Sequence, residues 1–257
     1  LLGHADAGLD PLIAETGAQD LFGSNDCLYV WSTKAGFDAA ARSNRMRREQ
    51  GVRYDEIGAD DVHELEPALR LPVHRALLFR GARHVLNPQK LVARMSERFI
   101  ELGGAQFRHS VLEVEPDRDG ATVRLEDGKE LRTSHFVVAA GAHGKRIKGT
   151  GMEELPLGVE RGYNIIYPEH GAKLLRPVGW AEAGIYATPM ELGLRIAGTV
   201  ELDEISAPPN PKRIEYLRRR AADMFGALGQ PQQEWLGFRP TMPDSLPVIG
   251  ASRVSDR

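Results

Sequence analysis

The chain has 257 residues, of which 42% are hydrophobic and 27% charged, and its formal net charge at pH 7 is −3. That length is enough for one large domain or two ordinary ones, and the composition is typical of a soluble globular protein. The charge balance gives no indication of a nucleic-acid partner. No apolar run reaches the roughly 20 residues that a membrane span needs. Cys27 is the only cysteine, which excludes an internal disulfide and a paired-cysteine metal site.

The first part of the chain alternates predicted helices and strands. Apolar spacing predicts a helix over residues 9–19, and the run CLYVW (Cys27 to Trp31) predicts a strand. A single long helix is predicted from Thr33 to Gln50, with Thr33 as its N-cap. Three shorter elements are predicted next: a strand at 52–57, a helix at 60–65 and a strand at 76–79.

The clearest helix is predicted at residues 87–102, because Pro88 stands near its start, apolar residues line one face and Gly103 follows its end. The face consists of Leu91, Val92, Met95, Phe99 and Leu102. Strands are predicted at 105–109, 111–116, 121–125 and 130–132, with a hairpin turn at Asp127-Gly128. The run HFVVAA (residues 135–140) predicts a buried strand that leads into Gly141.

The second half is rich in predicted strands, at 158–167, 185–188 and 194–200, and carries an amphipathic helix at 211–228. It ends in the proline-rich stretch WLGFRPTMPDSLPVIG (residues 235–250). The predicted fold class is therefore α/β, with α+β character: two interleaved lobes, one on a mixed and largely antiparallel sheet and one on a more parallel sheet.

Several side chains stand in contexts that suit chemistry. Arg239, between Phe238 and Pro240, is placed either to bind a carboxylate with two hydrogen bonds or to form a surface ion pair. Tyr163 and Tyr186 lie on predicted strands, where a tyrosine lines a pocket or packs in the core. VVAAGAHG (residues 137–144) is a strand followed by small residues that allow close backbone approach to a ligand. The histidines show no metal-binding spacing, so no metal site is predicted.

Five blocks together resemble the FAD-dependent D-amino-acid oxidase superfamily, and most closely its D-amino-acid dehydrogenase (small subunit) branch. In addition to the proline-rich stretch, they are PMELGLRIAGTVEL (189–202), ERGYNI (160–165), HVLNPQKL with GGAQFRHSVLEVE, and VVAAGAHG. The blocks cover most of the chain in the order that the family shows. Asn164 departs from the family's histidine, and Met190 stands where some relatives place a second substrate tyrosine, which puts the substrate's identity in doubt.

The resemblance implies FAD as cofactor, a truncated FAD-binding Rossmann-like lobe at 84–150 and 237–257, and a substrate lobe at 1–83 and 151–236. It assigns Arg239 to the substrate carboxylate and places Tyr186 and Tyr163 at the substrate pocket. The implied FAD contacts are Val111, Ala140, Gly141, Gly237, Phe238 and Gly250. The family's glycine-rich GxGxxG turn and its GHGxxGxT element are not found in the sequence, so a fragment of a longer protein is expected.

The implied reaction is oxidative deamination: hydride moves from the α-carbon of a D-amino acid to the flavin, and hydrolysis of the imine gives a 2-oxo acid and ammonia. The implied partners are an amino-acid substrate and a quinone or other electron acceptor. The expected location is the cytoplasm, with peripheral contact at the inner face of the bacterial inner membrane left open. Two alternatives also stay open: a related glycine, sarcosine or hydroxyproline oxidase, and a non-catalytic fragment that serves as a binding or subunit module.

Overall fold

The computed structural model describes residues 5–23, 26–168 and 173–251. The helices are α1 Ala5–Glu15, α2 Lys34–Ala39, α3 Ala41–Glu49, α4 Ala59–Leu65, α5 Pro88–Glu101 and α6 Pro211–Phe225. The strands are β1 Phe22–Gly23, β2 Cys27–Trp31, β3 Asp55–Ile57, β4 Arg75–Phe79, β5 His84–Val85, β6 Val111–Asp117, β7 Gly120–Leu125, β8 Glu130–Thr133, β9 Gly158–Tyr167, β10 Val178–Trp180, β11 Ile185–Met190, β12 Gly193–Leu202 and β13 Gln233–Thr241.

The chain forms two compact units. Unit 1 comprises residues 1–105, 163–199 and 209–236, and unit 2 comprises residues 106–162, 200–208 and 237–257. The predicted FAD-binding lobe overlaps unit 2 at 106–150 and 237–257, whereas residues 84–105 belong to unit 1. The assignment of a function to each unit stays a prediction.

The largest sheet has eight strands in the order β13-β9-β12-β11-β10-β2-β4-β3. Strands β10 and β2 pair in parallel, and the other registered pairs within this sheet are antiparallel. Unit 1 holds its central strands, while β9, β12 and β13 continue along the chain into unit 2. The prediction of a mixed, largely antiparallel sheet within an α/β fold is confirmed.

The core of unit 1 lies between one face of this sheet and α6. Asn210 caps the start of this helix, because its side chain accepts a hydrogen bond from the backbone N–H of Lys212, and Pro211 is the first helical residue. Its buried residues Leu217, Ala221, Met224 and Phe225 pack against apolar strand residues. Helix α6 therefore covers one face of the sheet and shields it from solvent.

Unit 2 contains the antiparallel sheet β6-β7-β8. Strands β7 and β8 are joined at the predicted hairpin turn, where Gly128 has a φ of +81° and so adopts the left-handed conformation that favours glycine. A small apolar cluster of Val114, Ala121 and Ile147 packs beside Val111, Phe136 and Val138.

Three predicted elements need correction. The predicted strand at 105–109 is not a strand, and neither is the run at 135–140, whose Val137 is 83% exposed. A strand requires a hydrogen-bonded neighbour, and no described strand pairs with either segment. The predicted helix 33–50 divides at Ala40 into α2 and α3, although Thr33 caps α2 as predicted by accepting from the Gly36 N–H at 3.0 Å.

Helix α5 forms where the sequence places it, but its apolar face is largely open. Val92, Phe99 and Leu102 are 65%, 50% and 64% exposed. Asn87 caps the helix by accepting from the Lys90 N–H at 3.0 Å. Within the ranges that the structure describes, no helix has both the length and the apolar character that crossing a membrane requires.

Candidate functional site

The sheet of unit 1 has two chemically different faces. Successive residues of a strand point to opposite sides. The face under α6 is apolar and almost fully buried, and its members on β2, β10, β11 and β12 are Leu28, Val30, Val178, Trp180, Ile185, Ala187, Leu194 and Ile196. The intervening positions carry polar or small residues, chiefly Tyr29, Gly179, Tyr186, Thr188, Arg195 and Ala197. We call this second side the polar face of unit 1.

Tyr186, a predicted substrate residue, lies on the polar face. Tyr186 is 45% exposed. Its ring stacks on that of Tyr29 with the ring centroids 5.9 Å apart and the ring planes at 17°. Burial raises the pKa of the Tyr186 hydroxyl to about 12. The phenol therefore stays protonated at neutral pH and is available as a hydrogen-bond donor.

Tyr163 lies on the opposite side of the same sheet. Its ring is 3% exposed within the apolar core, and its hydroxyl oxygen accepts a hydrogen bond from the Asn210 N–H at 2.9 Å, at the start of α6. These contacts suit a residue that fixes α6 on the sheet. We therefore leave Tyr163 out of the proposed substrate site. Asn164 is the next residue of the strand, so its side chain lies on the opposite face of the sheet from Tyr163.

Arg239, the predicted carboxylate-binding residue, lies on β13 in unit 2. Its side chain is 67% exposed, and Nη1 donates to Oε2 of Glu160 at 3.0 Å. A single contact to one carboxylate oxygen leaves much of the planar guanidinium open to a second anion. The arrangement suits a held but accessible arginine.

Arg161 is the contrasting arginine of unit 2, because it is fully buried. Its guanidinium lies 3.5 Å from a carboxylate oxygen of Glu201 and 3.4 Å from one of Asp203. It also donates to the carbonyl oxygens of Ala207 and Pro208 at 2.8 and 3.0 Å. These contacts hold the 203–208 segment in place, so Arg161 has a structural role.

Two of the predicted FAD-contacting blocks meet within unit 2. The ring of Phe238, in the GFRP stretch, lies 6.4 Å from the ring of His143 at an interplanar angle of 78°. His143 belongs to the 3₁₀ turn Gly141–Arg146, which follows the exposed residue Ala140. Val111 begins β6, Gly237 is buried, and Gly250 is exposed.

The residues around Gly141 fit one wall of a dinucleotide site. Gly141 has a φ of +54°, which favours glycine, and no atom lies within 4 Å of the position that a Cβ would occupy. Ala139 and Ala140 are also exposed, beside the highly exposed Val137. Small exposed side chains let a flat cofactor approach the backbone closely.

Sequence reasoning missed three residues at these sites: Tyr29, Glu160 and Arg195. The alternation of apolar and polar residues along the strand could have identified Arg195. It stands between the apolar residues Leu194 and Ile196 and so faces away from the core. The stacking of Tyr29 on Tyr186 and the pairing of Glu160 with Arg239 depend on strand neighbours distant in sequence. No group of three or more potential metal-ligating side chains occurs among the described residues.

The fold is that of an α/β protein with one polar sheet face in unit 1 and an exposed small-residue turn at Gly141 in unit 2. The chain matches the DAO family of FAD-dependent oxidoreductases over residues 3–256. It therefore belongs to that family, whose cofactor is FAD.

Similarity to a curated relative supports the family assignment. A D-amino-acid oxidase from Bradyrhizobium diazoefficiens is 30% identical over 251 residues, which make up 95% of this chain and 59% of the oxidase. This chain therefore spans less than two thirds of that relative's length.

Two solved structures share the fold. The first is glycine oxidase from Geobacillus kaustophilus, with a TM-score of 0.81, 21% identity, and coverage of 98% of this chain and 68% of the oxidase. The second is L-proline dehydrogenase from P. horikoshii, with a TM-score of 0.79, 18% identity, and coverage of 95% and 67%. At these identities the likeness establishes the fold alone.

Proposed function

We propose that this chain is the substrate-binding part of an enzyme that oxidises D-amino acids to 2-oxo acids and ammonia. The observation that carries the proposal is Arg239, an exposed guanidinium held by one hydrogen bond to Glu160. A planar arginine with free N–H groups is the side chain best suited to binding an α-carboxylate with two parallel hydrogen bonds. The likeness to a D-amino-acid oxidase over most of the chain supports this reading of Arg239.

Tyr186 is the second side chain that we assign to substrate. Its phenol is half-exposed and keeps its proton at neutral pH, so we propose that it donates a hydrogen bond to the substrate. Holding the amino acid in one orientation lowers the entropic cost of reaction. Such positioning is the principal task of the protein in a flavoenzyme, and it needs no acid–base pair of side chains.

FAD is the proposed hydride acceptor, with Val111, Ala140, Gly141, Gly237, Phe238 and Gly250 as its proposed contacts in this chain. When bound, FAD supplies a two-electron acceptor for the hydride of the substrate's α-carbon. The open backbone around Gly141 supports its place in this set. A quinone or another carrier is the proposed acceptor of the electrons, and peripheral contact with a membrane belongs to that proposal.

A second candidate is a related amine-oxidising flavoenzyme, because fold neighbours include a glycine oxidase and an L-proline dehydrogenase. In that case glycine or a secondary amine would replace the D-amino acid. A third is a non-catalytic binding or subunit module.

The test is a substrate panel on the FAD-loaded, full-length protein. D-amino acids, their L-enantiomers, glycine, sarcosine and proline are supplied with oxygen, an artificial dye or a quinone as acceptor. We expect turnover of D-amino acids, at least a 100-fold loss of kcat/KM in Arg239→Ala, and partial recovery in Arg239→Lys. Turnover limited to glycine, sarcosine or proline would establish the second candidate, and no turnover with any acceptor would favour the third.

A further inference from the structure

Arg239 and Glu160 form an ion pair that lies within unit 2, on the neighbouring strands β13 and β9. Nη1 of Arg239 donates to Oε2 of Glu160 at 3.0 Å. The side chain of Arg239 is 67% exposed and that of Glu160 is 27% exposed. A small molecule from solvent can therefore reach a cation and an anion at the same place.

Glu160 keeps one carboxylate oxygen for a further donor. Within the ranges that the structure describes, Oε1 makes no hydrogen bond or ion pair, and the contact of Oε2 with Arg239 is the only one of this carboxylate. A carboxylate has about four acceptor positions on its two oxygens, so most of them are unused. The adjacent cation Arg161 does not compete for them, because successive residues of a strand point to opposite sides and Arg161 pairs with Glu201 and Asp203.

The pair of Arg239 and Glu160 is complementary to an amino acid in its zwitterionic form. A single carbon atom separates an α-ammonium group from its carboxylate. A carboxylate bound to the free N–H groups of Arg239 would therefore bring the ammonium beside Glu160. An ammonium only donates hydrogen bonds, and a carboxylate is the acceptor that binds it most strongly. A carboxylic acid without an amine would instead bring a second negative charge beside Glu160, which disfavours its binding.

We propose that Glu160 binds the α-ammonium group of the substrate and so selects amino acids over carboxylic acids that lack an amine. The inference rests on the proposed function, in which Arg239 binds the α-carboxylate. Glu160 is then a substrate-binding residue that determines specificity, in addition to holding Arg239 in place. Every amino acid carries an α-ammonium group, so this role implies no preference for a particular side chain.

The kinetic test compares Glu160→Gln with the wild type in the full-length, FAD-loaded protein. D-Alanine is the substrate, and propionate, which differs from it by the amine, is a competitive inhibitor. We expect KM for D-alanine to rise about three- to fivefold, because an exposed ion pair with the ammonium is lost. We expect Ki for propionate to fall about two- to threefold, because a like charge is removed.

Two further variants control this comparison. Glu160→Asp keeps the charge and should keep the preference for D-alanine over propionate, which also provides a readout if Glu160→Gln does not fold. Glu115→Gln removes another carboxylate of unit 2, one that contacts Arg124, and should change neither constant. A rise in both constants by the same factor in Glu160→Gln would mean that Glu160 acts only through Arg239 and would overturn the proposal.

A binding experiment separates this proposal from the proposed function. 2-Aminoisobutyrate has no α-hydrogen and cannot be oxidised, and isobutyrate is the same molecule without the amine. We expect 2-aminoisobutyrate to raise the Tm of the wild type more than isobutyrate does, with the difference lost or reversed in Glu160→Gln. That result supports the ammonium site even if no D-amino acid is oxidised. If neither compound raises the Tm of the wild type, the carboxylate role of Arg239 is wrong and the ammonium site is overturned with it.

Discussion

The phenol rings of Tyr29 and Tyr186 stack across the strand that separates them, and Gly179 makes this possible. In the sheet register Gly179 is paired with Tyr29 on one side and with Tyr186 on the other. A Cβ at Gly179 would stand 2.6 Å from an atom of each ring. Glycine is therefore needed here for space and not for an unusual backbone conformation.

Gly179→Ala should force the two rings apart. Overpacking of a well-packed site costs about 1–3 kcal/mol, and we expect a loss of that size in the free energy of unfolding measured by urea denaturation. The matched control is Gly162→Ala, another strand glycine, where no atom lies within 4 Å of the added Cβ. Equal losses of stability in Gly179→Ala and Gly162→Ala would show that the stacking of Tyr29 on Tyr186 does not require a glycine at position 179.

Cys27 should behave as an unreactive thiol in the native protein. Burial raises the pKa of the Cys27 thiol to about 11, whereas an unperturbed cysteine has a pKa of about 8.5 and the thiolate is the reactive form. At pH 8 we expect alkylation by iodoacetamide to be about 100-fold slower than in urea-unfolded protein, and the native rate to keep rising up to about pH 10. Because the sequence has one cysteine, the intact mass reports its labelling directly. A native rate that levels off near pH 8.5 would contradict the prediction.

The sequence predicts strands well where their apolar pattern is local, as in β2 and β9, whose bounds match the predictions. It fails at residues 135–140, because an apolar composition indicates a strand but pairing depends on a neighbour elsewhere in the chain. The sequence also gives Tyr163 and Tyr186 the same prediction, since both lie on predicted strands. Which of them is buried depends on the side of the sheet that α6 covers, and that is a tertiary property.

The buried pair of Glu66 and Arg176 should be worth more than an exposed pair. Glu66 is fully buried and accepts from the Nε of Arg176 at 2.7 Å and from the Leu175 N–H at 3.0 Å. Arg176→Met leaves a buried carboxylate without its cation, and we expect a loss of about 3–5 kcal/mol in urea denaturation. Arg75→Met, which breaks an exposed contact 3.8 Å from Glu56, should cost at most about 1 kcal/mol. Similar losses in the two variants would show that burial adds nothing to this pair.

The same carboxyl should make stability depend on pH. Burial raises the pKa of Glu66, although the Leu175 N–H and Arg176 oppose the rise. Because the folded-state pKa of Glu66 is raised, the native state binds this proton more tightly than the unfolded state does. The stabilisation that the proton gives is therefore complete below the unfolded pKa of about 4.3 and is lost as pH rises through the folded pKa. We therefore expect the stability of the wild type relative to Glu66→Gln to fall as pH rises from about 4.3. A constant or rising difference would contradict this sign.

Glu160 should act as the residue that positions Arg239 for substrate. Its carboxylate holds one edge of a guanidinium that is otherwise exposed, so Glu160→Gln removes the charge that orients the arginine while keeping the side chain's shape. Because exposed ion pairs contribute up to about 1 kcal/mol, we expect KM for the D-amino acid to rise by at most about fivefold, with kcat nearly unchanged. Glu115→Gln, which weakens an exposed contact to Arg124 within unit 2, is the control and should leave KM unchanged. If Glu160 instead competes with the substrate carboxylate for Arg239, KM will fall in Glu160→Gln, and steady-state kinetics on the two variants distinguishes these roles.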